Sequence, residues 1–195
     1  MSDQSFVIAF PYLPASEMLG ASETIISYLS KRNIISDQLS PCVLSQENFG
    51  YAPDFNFIEA TVFDEERVDI INCNFADFSS KLQVNGLEVL IDRQCVANAS
   101  GDWQFMQCPS CSKMCPYLDE FSVVLDNWLA RTGNELLICN VCNITSSVAH
   151  WGFLNDMVLG NLILQFWNWP EISKELSENL SELIGYEART ISCHL

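Results

Sequence analysis

Cations are scarce in this chain. Nine Lys plus Arg stand against 25 Asp plus Glu in 195 residues, a formal net charge of −16 with His neutral. Affinity for nucleic acid comes from neutralising phosphates, so a surface this negative argues against DNA, RNA or an anionic membrane as a main partner. Long hydrophobic runs are lacking too. The run from Phe6 to Leu13 is broken by Pro11, and Trp151 to Pro170 carries Asn155, Asp156, Asn161, Gln165 and Asn168. Neither suits a membrane span or an export signal, and the opening Met-Ser-Asp-Gln-Ser has no cation, so a cytoplasmic location is expected. Catalytic motifs are also missing. There is no G-x-S-x-G, no Walker loop and no G-x-G-x-x-G, and neither His150 nor His194 belongs to a nucleophile or metalloprotease motif. No catalytic residue is nominated, and a binding protein is expected rather than an enzyme.

What is present is a core. Apolar residues make up 49% of the chain, enough for one ordinary domain spanning 1–195. Residues 5–10 read as a buried strand, followed after Pro14 by a helix with Ser22 as its cap and Ile25, Ile26 and Leu29 on one stripe. From Asn33 to Asn56, Pro41, Gly50 and Pro53 punctuate a loop with at most short elements, and 57–63 alternates moderately. Lys81–Val84, Asn85-Gly86 and Leu87–Ile91 predict a β-hairpin, because Asn-Gly supplies the positive φ angles of a type I′ turn. Asn161 to Trp169 reads as a strand buried on both faces, with Trp167 and Trp169 the tryptophans expected to be partly exposed. Pro170 is placed in the first turn of a helix with Ile172, Leu176, Leu180, Leu183 and Ile184 inside and Gly185 as its stop, and Ala188–Leu195 closes a βαβ-type unit. The expected class is α+β: a mixed β-sheet with a few packed helices.

The sharpest motif is Cys108-Pro109-Ser110-Cys111 followed by Cys139-Asn140-Val141-Cys142. Two residues between cysteines let a tight knuckle point both sulfurs at one ion, and two knuckles complete a tetrahedral zinc shell. Strand-like 103–107 and 135–138 lead into them, so 103–145 reads as a zinc-ribbon-like insertion whose spacer carries a helix with Phe121, Val124, Leu125, Trp128 and Leu129 on one stripe. Cys115 and His150 are the alternative ligands, ranked below the paired cysteines. With four thiolates in place no position is left for water, so the cofactor expected is structural Zn²⁺. The zinc deaminase signature is excluded: Gln107, not Pro, precedes the first pair, and no H-x-E occurs.

The closing pattern Leu162-Ile163-Leu164-Gln165-Phe166-Trp167-Asn168-Trp169-Pro170, with the helix ending in Leu183-Ile184-Gly185-Tyr186, resembles the C-terminal part of bacterial toxin-neutralising immunity proteins. The resemblance implies a cytosolic protein that binds and blocks one cognate toxin or effector. Long-range attraction of a basic protein partner accords with the charge, and the densest acidic run, Asp64, Glu65, Glu66 and Asp69, is the candidate partner surface. The alternative is a zinc-ribbon module of a nucleic-acid or transcription-associated complex, which needs a basic face. Between Cys108 and Cys142 there are only Lys113 and Arg131 against Asp119, Glu120, Asp126 and Glu135.

Overall fold

The computed structural model describes residues 3–44, 49–62, 82–99, 101, 104–154 and 156–194. In chain order these give β1 (Gln4–Ala9), α1 (Met18–Lys31), β2 (Ile35–Ser40), β3 (Gly50–Pro53), β4 (Leu87–Ala97), β5 (Phe105–Gln107) and β6 (Met114–Pro116). There follow α2 (Phe121–Ala130), β7 (Leu136–Ile138), β8 (Thr145–Ser147), β9 (Met157–Trp167), α3 (Lys174–Ile184) and β10 (Arg189–His194). Six strands form one sheet in the order β10-β1-β9-β4-β3-β2. The class is α+β. Every pairing is antiparallel, where a mixed sheet was expected. The reason is topological: β9 and β10 are joined through α3 and run parallel, but β1 lies between them and pairs with both.

The sequence pattern explains the main layer. On β1, Ile8 faces α1 and α3 in a core with Phe10, Leu13, Ile25, Leu29, Leu162, Leu164, Phe166, Leu176 and Leu180, while Val7 and Ala9 face the other side. On α1, Ala21, Ser22, Ile25 and Leu29 are the buried stripe. Ser22 is thus inside the helix, its hydroxyl donating to the Leu19 carbonyl at 2.8 Å, and caps nothing. α3 begins later than Pro170 suggests: Ser173 is its cap, accepting from the Leu176 N–H at 3.2 Å, and Gly185 closes it at φ 77°. Ile172, placed in the helix by its spacing, instead forms a bridge with Thr61.

Three further expectations are corrected. The 33–56 stretch contains β2 and β3, which extend the sheet to its edge. Phe57–Ala60 is a 3-10 turn, and Phe63 lies outside the described residues. The Asn85-Gly86 hairpin does not form: 82–86 is not strand, neither residue has positive φ, and β4 pairs with β3 and β9. Both amides instead donate to the Cys42 carbonyl at 2.9 Å. Gly86 is needed for that close approach, since a Cβ there would strike the Cys42 sulfur and stand 3.0 Å from its carbonyl oxygen. Gly86→Ala is therefore expected to cost about 1–3 kcal/mol of stability, measured by denaturant unfolding, although no turn conformation is at stake.

Trp167 and Trp169 are buried, not exposed. Burial of an indole calls for a partner, and each has one: Trp167 Nε1 donates to the buried Glu88 carboxylate at 2.8 Å and Trp169 Nε1 to the Asn85 carbonyl at 2.7 Å. Trp169 also meets the Phe57 and Phe166 rings edge-on.

The long β4–β9 pair positions everything that follows. Its register shifts between Ile91 and Gln94, where Asp92 adopts φ 99°. Beyond that irregularity, Val96 and Val158 pack on Val7, Ala9, Ile163, Ile191 and Cys193, the sheet face opposite the helices. Asn98, just past β4, reaches β10: its Nδ2 donates to the Ser192 carbonyl at 3.2 Å. β4 is separated from β10 by two strands, so the far end of the β4–β9 arm must fold across that face to reach it. Cys95, Met157 and Leu159 contact the cysteine-bearing cluster instead.

Candidate metal centre

Two short hairpins, β5–β6 and β7–β8, each carry one C-x-x-C at the turn. Their backbones match bond for bond. Cys108 N–H donates to the Lys113 carbonyl at 3.0 Å and Cys139 N–H to the Ile144 carbonyl at 3.1 Å; Ser112 and Asn143 N–H return to Cys108 and Cys139 at 3.0 and 2.9 Å. Ser112 and Asn143 both adopt φ 57°, the left-handed step that closes each knuckle. Ser110 N–H points at Cys108 Sγ and Val141 N–H at Cys139 Sγ, each at 3.4 Å. At the buried Cys139 sulfur the Val141 amide favours thiolate over thiol.

Together the knuckles bring Cys108, Cys111, Cys139 and Cys142 into one group whose sulfurs all lie within 4.8 Å of one another. Cys108 Sγ and Cys142 Sγ are 3.8 Å apart, and Cys111 Sγ and Cys139 Sγ 3.9 Å. Those separations are too long for disulfides, and every described cysteine is unpaired. A tetrahedron of sulfurs around an ion at about 2.3 Å has edges of about 3.8 Å, so the cage fits a four-thiolate metal such as zinc. Electrostatics point the same way. Burial opposes a Cys139 thiolate, but the N–H groups of Cys142 and Val141 and neighbouring thiols outweigh it and lower the group to about 6. At Cys142 the Ile144 N–H favours the thiolate, yet burial and the thiols of Cys139, Cys111 and Cys108 push it up to about 12. Four sulfurs this close resist ionising together unless a cation joins them.

The alternative ligands are elsewhere. Cys115, on β6 opposite Met106, is buried beside Cys139 but outside the four-sulfur group. The His150 ring lies 4.5 Å from that of Tyr12, and burial together with the Arg189 charge lowers its pKa. The acidic run Asp64, Glu65, Glu66 and Asp69 lies outside the described residues, as do Trp103 and Leu195.

The centre is fastened to the body by groups outside the two C-x-x-C motifs. The spacer helix α2 buries Phe121, Val124 and Trp128 and ends at Arg131 in the left-handed region at φ 56°. Met106, Leu137, Trp151, Phe153, Met157 and Leu159 complete that core around the buried cysteines. From the irregular point of β4, Arg93 reaches into it: one guanidinium nitrogen donates to the Trp128 carbonyl and to Glu135 Oε1, both at 2.6 Å, and the group lies 5.3 Å from the Trp128 ring. Asp92 pairs with Arg131. On the other side Arg189 donates to the carbonyls of Trp151 and, at 2.6 Å, His150, and to the Tyr12 hydroxyl at 3.0 Å. In the sequence the only sign of it is a charged pair, Asp92-Arg93, directly after the apolar run Val89–Ile91.

The chain matches no family model, no curated protein and no solved structure. No described helix is long and apolar enough to cross a membrane.

Proposed function

We propose that the chain is an acidic binding protein of the immunity type, which captures a basic toxin or effector through exposed carboxylates and is braced by one structural Zn²⁺ on Cys108, Cys111, Cys139 and Cys142. The charge carries this reading. On and around α3, Glu171, Glu175, Glu178, Glu182 and Glu187 are all exposed, with Lys174 beside them already paired to Glu178 at 2.7 Å. The run Asp64, Glu65, Glu66 and Asp69 adds to the same excess. Zinc does not relieve it: four thiolates and one Zn²⁺ take the formal charge to about −18. The metal role is structural, because a shell of four thiolates leaves no open position for chemistry. The nucleic-acid alternative draws little support from the ribbon, whose cations between Cys108 and Cys142 are only Lys113 and Arg131, the latter paired with Asp92.

The test uses the protein encoded beside the chain as the candidate target. Co-expression should relieve its toxicity, and the purified complex should weaken at least tenfold between low and physiological salt. Glu175→Gln/Glu178→Gln/Glu182→Gln, or neutralisation of residues 64–66 and 69, should slow association. A tight complex indifferent to salt and to both sets of substitutions contradicts electrostatic capture.

A further inference from the structure

The two knuckle hairpins provide an internal comparison. Gln107, Ser110 and Lys113 of the first correspond in backbone geometry to Ile138, Val141 and Ile144 of the second, and all six are exposed. The polar trio shows that the knuckle itself needs no apolar side chain there. Yet Ile138 is 56%, Val141 57% and Ile144 50% exposed, and Leu136, on the same strand face as Ile138, is 46%. That face continues across the hairpin through Thr145 and Ser147 and carries no charge. The only charged residue in 132–147 is Glu135, and Arg93 holds it. Apolar side chains gathered on one solvent-facing hairpin mark a docking surface more often than isolated ones do.

We propose that this hairpin face is the apolar anchor point for a basic partner protein, receiving one or two apolar side chains flanked by Lys or Arg. The inference rests on the binding-protein reading above and places part of the contact on the metal ribbon. Charge selects the occupant. A second copy would bring another −16 against the first across a small patch, whereas a cationic segment gains from the field of the whole chain and from the zinc-thiolate group behind the knuckle, net −2 by formal charge.

The probe is a random peptide library displayed on phage and selected on the full zinc-loaded chain. Selected peptides should combine apolar residues with Lys or Arg and bind Ile138→Gln/Val141→Ser at least tenfold more weakly, while that variant keeps one zinc per chain. Peptides that lose binding to Glu175→Gln/Glu178→Gln/Glu182→Gln but not to the hairpin variant overturn the anchor and leave the acidic-capture reading intact. Peptides that need the hairpin but carry no Lys or Arg and ignore salt overturn the basic occupant and count against electrostatic capture as well. Selection yielding no hairpin-dependent peptide overturns the proposal. So does sedimentation of the wild type as a dimer that Ile138→Gln/Val141→Ser makes monomeric, which assigns the face to a second copy.

Discussion

Cys139→Ser is expected to take zinc from one atom per chain to none and to unfold the ribbon around it. Cys139 is fully buried, accepts the Val141 N–H and lies 3.9 Å from Cys111 Sγ, so its loss opens the shell from inside. Structural zinc is worth about 10–16 kcal/mol in small zinc-dependent peptides, comparable to the whole stability of an ordinary domain. The hairpins have only three residues per strand and cannot stand without it. Hydrogen exchange should show protection lost across 104–154, while the β1–β9–β10 sheet stays protected. Cys115→Ser is the control: the thiol is equally buried but outside the four-sulfur group, so zinc should remain. Acid should act like Cys139→Ser, because protons compete with the metal for thiolates and zinc is released as pH falls. A Cys139→Ser protein that keeps both its zinc and its melting temperature contradicts this.

Arg93→Ala should loosen the ribbon from the sheet without removing a ligand. The guanidinium satisfies the Trp128 carbonyl, pairs with the largely sheltered Glu135 carboxylate and covers the Trp128 ring. Truncation strands a carboxylate and a carbonyl together, at about 2–3 kcal/mol after allowance for partial exposure. For a domain of this size that lowers Tm by roughly 4–10 °C. Arg93→Lys should recover only part of it: one ammonium nitrogen can serve the two acceptors that one guanidinium nitrogen serves here, but it lacks the flat group that lies over the Trp128 ring. Zinc content should be unchanged. Arg32→Ala offers the contrast, because its pair with Glu59 is about half exposed at both ends and should cost well under 1 kcal/mol. Equal melting temperatures for Arg93→Ala and the wild type would remove Arg93 as the fastening point.

The cage was legible in the sequence because its information is local. Each C-x-x-C knuckle is fixed by bonds spanning a few residues, and spacing alone identifies the four sulfurs. The buried strand β9, the stripe on α1 and the Gly185 stop were legible for the same reason. What failed was decided at long range. Asn85-Gly86 has the chemistry of a hairpin turn, but the Cys42 carbonyl claims both amides from more than 40 residues away, and β4 finds β9 as its partner. The position of Trp167 and Trp169 on either side of Asn168 at a strand end predicts partial exposure; Glu88 and the Asn85 carbonyl, supplied by distant segments, allow both indoles to be buried. β1 separating β9 from β10 is likewise invisible in the linear order. Arg93 follows the apolar run Val89–Ile91 in the sequence, but its acceptors lie on α2 and beside β7.

Zinc X-ray absorption on freshly purified protein, with metal content measured on the same sample, tests the centre most directly. One zinc per chain with four sulfur neighbours at about 2.3 Å is the result expected of Cys108, Cys111, Cys139 and Cys142 acting together. Metal-free protein that is fully folded, or a zinc shell containing nitrogen or oxygen, contradicts a closed four-thiolate site.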